Sequence, residues 1–300
     1  MFLTIFTPVY NRDKYMPRLF KSIEKQKYKD FEWIIINDGS TDNTEKTIQN
    51  LIKENKYNFP VRYFKVKNGG KHRAINKAVK VAKGKYFLIV DSDDWLLPNA
   101  TDLIKKWTET IEKLPNANEF AGVSGLIETP SGKILSGTGN GKKYVDASNL
   151  KRYKYNLEGD MSEVYKTSIL KKYPFKEFKM ENFLTERTVW NKIAADGYII
   201  RWYMKPIYVG DYLQDGLTKN AFSRDMNNFN GLTYATKMDL KLMLSFKQKM
   251  HFLNYYIMIG RKKKYSWRKI ANMISLPLCP IFIQYYLYMT IRKILKKPLL

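Results

Sequence analysis

Short apolar runs alternate with helix-spaced segments through the first hundred residues, and that alternation leaves few folds open. Phe2–Phe6 is apolar and stops at Thr7-Pro8. Phe31–Ile36 (FEWIII) is rich in β-branched and aromatic residues and stops at Asn37-Asp38-Gly39. Val61–Val66 alternates apolar and polar, while Tyr86–Val90 (YFLIV) is continuously apolar, as a buried parallel strand is. Between these runs Met16–Gln26, Thr44–Glu54 and Arg73–Ala82 read as helices, with Ser40 or Thr41 placed to cap the second. A further helix is read over Leu96–Ile111, with Pro98 near its start. Strand and helix in alternation predict βαβ units and a parallel sheet.

Ligands of such sheets bind at the carboxyl ends of the strands. Those ends read Thr7-Pro8-Val9-Tyr10-Asn11, Asn37-Asp38-Gly39-Ser40, Lys67-Asn68-Gly69-Gly70-Lys71-His72 and Asp91-Ser92-Asp93-Asp94. Loops are polar anyway, but four polar or acidic ends on one predicted edge are a stronger signal than any one alone. Three carboxylates as close as Asp91, Asp93 and Asp94 raise one another's pKa unless a cation intervenes. Hard oxygen ligands suit Mg²⁺ or Mn²⁺, which bind through one or two carboxylates plus substrate phosphates. The plainer alternative is acidic residues at the N-terminus of the following helix. Backbone N–H groups and a cation at Gly70-Lys71 suit a phosphate or diphosphate; a flexible turn with a solvated lysine is the alternative. No GxGxxG follows the first strand, which argues against a dinucleotide cofactor.

Charge is the unusual part of the composition. Lys and Arg number 53 against 28 Asp and Glu, a net +25. An excess of this size predicts an anionic partner: nucleic acid, an acidic membrane surface or a phosphorylated ligand. Its distribution is uneven, because no acidic residue follows Asp239 and Lys241–Leu300 alone supplies +13. One cysteine, Cys279, excludes a disulfide framework and a cysteine-based zinc site. No secretory leader is read at the N-terminus.

The ordered motifs TPVYNR, INDGSTDNT, NGGKHRAIN and AKGKYFLIVDSDD, followed by GDMSEVYKTSILKKYPF and ENFLTERTVWNKIAADGY, resemble the family-2 glycosyltransferases of GT-A fold over about residues 1–215. The resemblance implies a Rossmann-like α/β domain with a mostly parallel central sheet flanked by helices. It also implies a nucleotide-sugar donor, a divalent cation (Mn²⁺ or Mg²⁺) and inversion at the anomeric carbon. Carried over residue by residue, Pro8 and Tyr10 would flank the base and ribose, and Asp38 would accept from the uracil N–H. Lys71 would lie near the nucleotide or diphosphate, Asp91 by the ribose and donor sugar, and Asp93 would bind the metal. Thr7, Asn11, Gly39, Gly70 and Ser92 belong to the same expected donor site. Glu186 falls at the position of the catalytic base, with Glu181 as the alternative; Asp160 and Glu181 are candidates for contact with the acceptor. The Q-x-x-R-W signature of processive synthases is absent, since Tyr198 stands where Gln would precede Arg201-Trp202. One sugar, or few, is therefore expected per encounter.

These readings divide the chain into a glycosyltransferase domain at 1–220 (nucleotide-sugar half 1–97, acceptor half 98–220) and a basic, apolar helical extension at 221–300, the pattern changing after Gly216. Leu232–Phe246 and Phe252–Ile259 read as helical. Ile270–Ile291 is uncharged but interrupted by Pro277 and Pro280, and basic residues stand on both sides, Arg261–Lys264 before it and Arg292, Lys293, Lys296 and Lys297 after it. That pattern suits an in-plane membrane anchor better than a span, with Trp267, Tyr285, Tyr286 and Tyr288 at headgroup level. A helical pair packed on the body is the plainer alternative. The expected protein is cytoplasmic and peripheral on the inner face of the cell membrane. It moves a hexosyl or N-acetylhexosaminyl group from a UDP-sugar to a saccharide or lipid-linked acceptor in polysaccharide or lipopolysaccharide assembly. Competing classes are a nucleic-acid-binding protein, disfavoured because the charge sits beside an apolar run, and a sugar nucleotidyltransferase, disfavoured because TPVYNRDKY is not a glycine- and arginine-rich loop.

Overall fold

All four apolar runs form strands: β1 (Leu3–Val9), β2 (Phe31–Asn37), β3 (Val61–Lys65) and β4 (Tyr86–Ile89). In the computed structural model, which describes residues 1–54, 57–157, 159–210, 220–243 and 245–294, α1 (Met16–Glu24), α2 (Thr44–Glu54) and α3 (Lys71–Val81) connect them. The four strands are mutually parallel in the order β3-β2-β1-β4. The strand order reverses at β1, so the carboxyl ends of β1 and β4 border a crevice of the kind in which open α/β sheets bind ligands. β1 and β2 are buried on both faces, which suits their mostly apolar sequences, and the buried Thr4 hydroxyl donates to the Glu32 carboxylate at 2.8 Å. Leu3, Ile5 and Val9 pack with Trp33, Ile35, Leu19, Phe20 and Ile23 in the main core.

Beyond β4 the sheet turns antiparallel, through β8 (Ser162–Lys166) and β6 (Phe120–Glu128), then continues to β9 (Ile199–Val209) and β5 (Trp95–Leu96). A further strand, β7 (Tyr144–Ala147), pairs with β9. The helix read over Leu96–Ile111 starts later than Leu96, which belongs with Trp95 to a short strand. That strand forms a ladder with Val209 and Tyr208, and α4 runs from Ala100 to Glu112, after Pro98. The acidic group at 91–94 is therefore not the first turn of that helix. Helix α3 starts two residues earlier than its spacing suggested, because Gly70 (φ 93°) makes the turn into it. Short α5 (Thr167–Leu170) follows β8, and α6 (Arg187–Ala195) precedes β9. Trp190 of α6 stacks on Tyr165 at 4.4 Å. Arg201 and Trp202 are structural: Arg201 pairs with Asp146 at 2.7 Å and Trp202 donates to the Ala147 carbonyl at 2.9 Å.

Two compact units do not meet at a single cut near 220. One comprises residues 1–175 and 189–212, and the other 176–188 and 213–300. The second unit contains α7 (Ala221–Asn227), α8 (Phe229–Leu242), α9 (Phe246–Lys262), α10 (Trp267–Met273) and α11 (Leu278–Ile294). It has its own core, formed by Phe229, Leu253, Tyr256, Ile257, Ile270, Ile274 and Ile281. Much of the apolar content read as an anchor is thus spent on internal packing. Among the described residues no helix is long and apolar enough to cross a membrane. The pattern change after Gly216 and the terminal Lys296 and Lys297 lie outside the described residues.

Candidate active site

The strand ends are tied together before any ligand is considered. Asn11, in the left-handed region at φ 52°, donates its N–H to Ser40 Oγ at 3.0 Å and accepts from the Thr41 N–H at 2.8 Å. Asp38 is buried, and its two carboxylate oxygens accept from the Gly69 and Gly70 N–H groups at 2.9 and 2.7 Å. Asn68 donates to the Asp38 carbonyl at 2.8 Å. This close seam requires glycine at 39, which has φ 74°; a Cβ there would lie 2.7 Å from the Asn68 nitrogen. Burial pushes the Asp38 carboxyl above its ordinary pKa, against the bonds from Gly69 and Gly70. A carboxylate has about four lone-pair positions, so joining β2 to the 68–70 turn leaves room for a further donor.

At the end of β4 the acidic residues separate into different roles. Asp91 takes the Lys71 ammonium on both oxygens, at 2.8 and 2.9 Å. Asp93 faces the Arg12 guanidinium at 3.6 Å. Asp94 accepts from the Tyr208 hydroxyl at 2.8 Å, while the same hydroxyl accepts the Asp91 N–H at 2.9 Å. Arg18 holds the Asp93 carbonyl and lies 3.9 Å over the Trp95 ring. Burial, and then the Asp91 charge, push the Asp93 pKa up, with Arg12 opposing them. Such a position favours a nearby cation.

Among the described residues no three His, Cys, Asp or Glu side chains converge into a metal cage. Asp93 with Asp91 beside it is instead the sparse hard-oxygen set that Mg²⁺ or Mn²⁺ uses when phosphates complete its shell. The residues present fit such an ion.

Several expected site residues are placed differently from one another. Pro8 is half-buried and Tyr10 is 47% exposed at the edge. Thr7 is fully buried, with its hydroxyl accepting the Trp33 indole N–H at 3.1 Å. Ser92 is also buried, so it supports the turn from within. Gly70 and Lys71 open α3 beside Asp38 and Asp91. Asp160 is exposed, and its carbonyl accepts from Ser136 Oγ at 2.6 Å. Glu181 and Glu186 belong to the 176–188 segment of the second unit. The Glu181 carboxylate is buried and accepts the N–H groups of Asn230 and Gly231, each at 2.7 Å, at the start of α8. Glu186 is half-buried in the turn before α6.

Sequence reasoning missed Arg12 and Tyr208. Arg12 lies inside the TPVYNR motif, yet only its position opposite Asp93 shows what it does. Tyr208 is 117 residues from Asp91 along the chain, and no local pattern connects them.

Residues 4–118 match the family model described as Glycosyl transferase family 2. A GalNAc(5)-diNAcBac-PP-undecaprenol beta-1,3-glucosyltransferase from Campylobacter jejuni is 29% identical over 230 residues, covering 73% of this chain and 69% of the relative. A chondroitin synthase from Pasteurella multocida is 42% identical over 104 residues, 35% of this chain, and the match spans only 10% of that protein's length. Among solved structures, S. aureus TarS 1-349 in complex with UDP-GlcNAc superposes with a TM-score of 0.60 at 22% identity, covering 87% of this chain and 73% of that one. This last likeness concerns the fold. Over residues 4–118 the chain is thus similar to the family-2 glycosyltransferases, and its fold is like that of TarS.

Proposed function

We propose that the chain transfers a hexosyl or N-acetylhexosaminyl group, with inversion, from a UDP-sugar to a saccharide or lipid-linked acceptor in the assembly of a cell-surface polysaccharide or lipopolysaccharide. The observation that carries this reading is the Lys71–Asp91 pair beside Asp93, at the carboxyl ends of parallel strands. The Campylobacter relative, named for a PP-undecaprenol-linked saccharide, supports a lipid-linked acceptor. The UDP-GlcNAc complex of TarS supports a UDP-sugar donor.

In this reading the nucleoside lies against Pro8, Tyr10 and Asp38. The diphosphate meets the α3 N-terminus and the Lys71 ammonium. Phosphate oxygens exchange for Asp91 on that ammonium as the donor enters. A bound Mg²⁺ or Mn²⁺ would be held by Asp93, with Asp91 beside it, and would neutralise charge on the leaving diphosphate. The acceptor hydroxyl forms its bond to the anomeric carbon as the bond to the diphosphate oxygen breaks. UDP leaves with the electron pair, and Glu186 takes the hydroxyl proton.

The second unit adds a membrane-surface role. Phe282, Ile283 and Tyr286 of α11 are 43%, 59% and 51% exposed, and Trp267 packs edge-on to Phe282 at 5.2 Å. Arg261, Arg268 and Lys269 are exposed on the neighbouring helices. Apolar side chains rimmed by cations suit an anionic lipid surface.

The test is a panel of nucleotide sugars with Mn²⁺, scored for UDP release and for inorganic diphosphate. UDP release that is lost in Asp93→Ala is expected. Diphosphate release would mark a nucleotidyltransferase and overturn the reading. Glu186→Gln should abolish transfer while leaving UDP affinity within about twofold, since a general base contributes ~10²–10⁴-fold; retained transfer would assign the base elsewhere.

A further inference from the structure

We propose that the helical second unit holds a pocket for a neutral saccharide, which is the acceptor's own sugar residue. The inference rests on the transferase reading only in calling that sugar the acceptor.

The unit carries an open pocket of ≈ 390 Å³ whose described lining residues all come from its own segments, 183–187, 221–235 and 251–255. That volume lies within the range of small-ligand pockets, roughly 300–1,000 Å³. Phe183, Phe222, Phe252 and Tyr255 supply aromatic walls. Arg224 lies 3.8 Å from the Phe183 ring centroid, and Arg187 lies 4.2 Å from that of Phe252.

Charge decides what such a pocket takes. Arg187 is matched by Asp239, with Nη2 at 2.9 Å from Oδ2. Arg224 is matched by Asp225, with Nε at 2.8 Å from Oδ1. Both carboxylates are buried, Asp239 at 1% and Asp225 at 6% exposure, and Tyr255 donates to Asp225 at 2.9 Å. Desolvation and the Arg187 charge hold the His251 imidazole below its ordinary pKa, so it adds no cation near neutral pH. Glu181 at the start of α8 adds negative charge nearby. Among the described lining residues, then, no positive charge is left over for a phosphate. Its arginine, aspartate, threonine and histidine side chains equally disfavour a plain hydrocarbon chain. What remains is a ligand with apolar C–H faces for the rings and neutral hydroxyls for the fixed donors and acceptors, which describes a sugar ring. Thr185 lines the pocket and directly precedes Glu186, placing the pocket next to the proposed base along the chain.

Saturation-transfer NMR on the full chain tests this with methyl glycosides of glucose, galactose, GlcNAc and GalNAc. Glucose 1-phosphate and inorganic phosphate serve as anionic probes, and UDP titration on the same samples reports the first unit. At least one neutral glycoside should bind saturably. Ala235→Leu, which fills the pocket from α8, should weaken it tenfold or more. Tyr255→Phe, which removes only a hydroxyl, should weaken it severalfold, and both variants should keep wild-type UDP affinity. The proposal is overturned if no neutral glycoside binds a chain that binds UDP, if both variants bind as wild type does, or if glucose 1-phosphate displaces the glycosides from the pocket. Saccharide binding without any UDP-sugar turnover would sustain the pocket and sink the transferase reading instead.

Discussion

At the scale of single residues, Asp38 shows how one carboxylate can be both structural and available to a ligand. Its oxygens hold two backbone N–H groups of the 69–70 turn. Asn at this position accepts on one atom only and turns an N–H₂ toward a donor. Asp38→Asn is therefore expected to cost about 1–3 kcal/mol in chemical denaturation and to weaken UDP binding. The pH dependence has a definite sign. Burial raises the folded-state pKa of Asp38, and a raised carboxyl contributes stability below its unfolded pKa that is lost as pH rises through the folded value. The stability gap between wild type and Asp38→Asn should therefore narrow as pH rises above about 4, and a gap that widens would contradict the assignment. Thr7 teaches the converse. It stands among motif residues at a strand end, but the pleat turns its hydroxyl inward to Trp33, and only the neighbouring strand reveals that.

At the scale of elements, α8 begins with N–H groups that its own helix cannot satisfy. Glu181, 49 and 50 residues earlier, accepts two of them, and Asn228 accepts from Asn182 and Phe183 at 2.8 and 2.9 Å. These bonds fix the 176–188 segment to the second unit. Glu181→Ala should destabilise that unit by about 1–2 kcal/mol, seen as a lower thermal midpoint, with any loss of transfer following the loss of fold. Glu186→Gln is expected to do the reverse, leaving the midpoint in place. The first four strands and three helices were legible because each carries its own periodicity. Strand β5 was not. Two residues have no period, and Trp95-Leu96 is a strand only because β9 lies beside it.

At the scale of the whole molecule, the basic C-terminal region is an element of the fold as well as a charge reservoir. Phe229 and Leu232 of α8 share a core with Tyr256, Ile257, Ile270 and Ile281. Deleting residues 245–300 would strip that core, so truncation is expected to yield aggregated protein rather than a well-behaved enzyme. Surface variants separate membrane binding from folding. Phe282→Ser with Ile283→Ser should reduce sedimentation with anionic vesicles about tenfold, from roughly 1–1.5 kcal/mol of lost apolar burial, with the thermal midpoint nearly unchanged. Equal sedimentation of the double variant would refute the lipid-facing role of α11.

The sequence by itself determined the βαβ half, the acidic and glycine-rich strand ends and the basic charge of the last sixty residues. Those features are local: period, turn chemistry and charge are properties of neighbouring residues. Packing between distant segments decided that Arg12 faces Asp93, that Tyr208 links Asp91 to Asp94, that Glu181 is committed to a helix start, and that the apolar C-terminal run shares a core with α8 and α9. Each of those depends on contacts between segments tens to more than a hundred residues apart. Burial and partner choice at such separations are set by how the elements pack, and no window of sequence carries them.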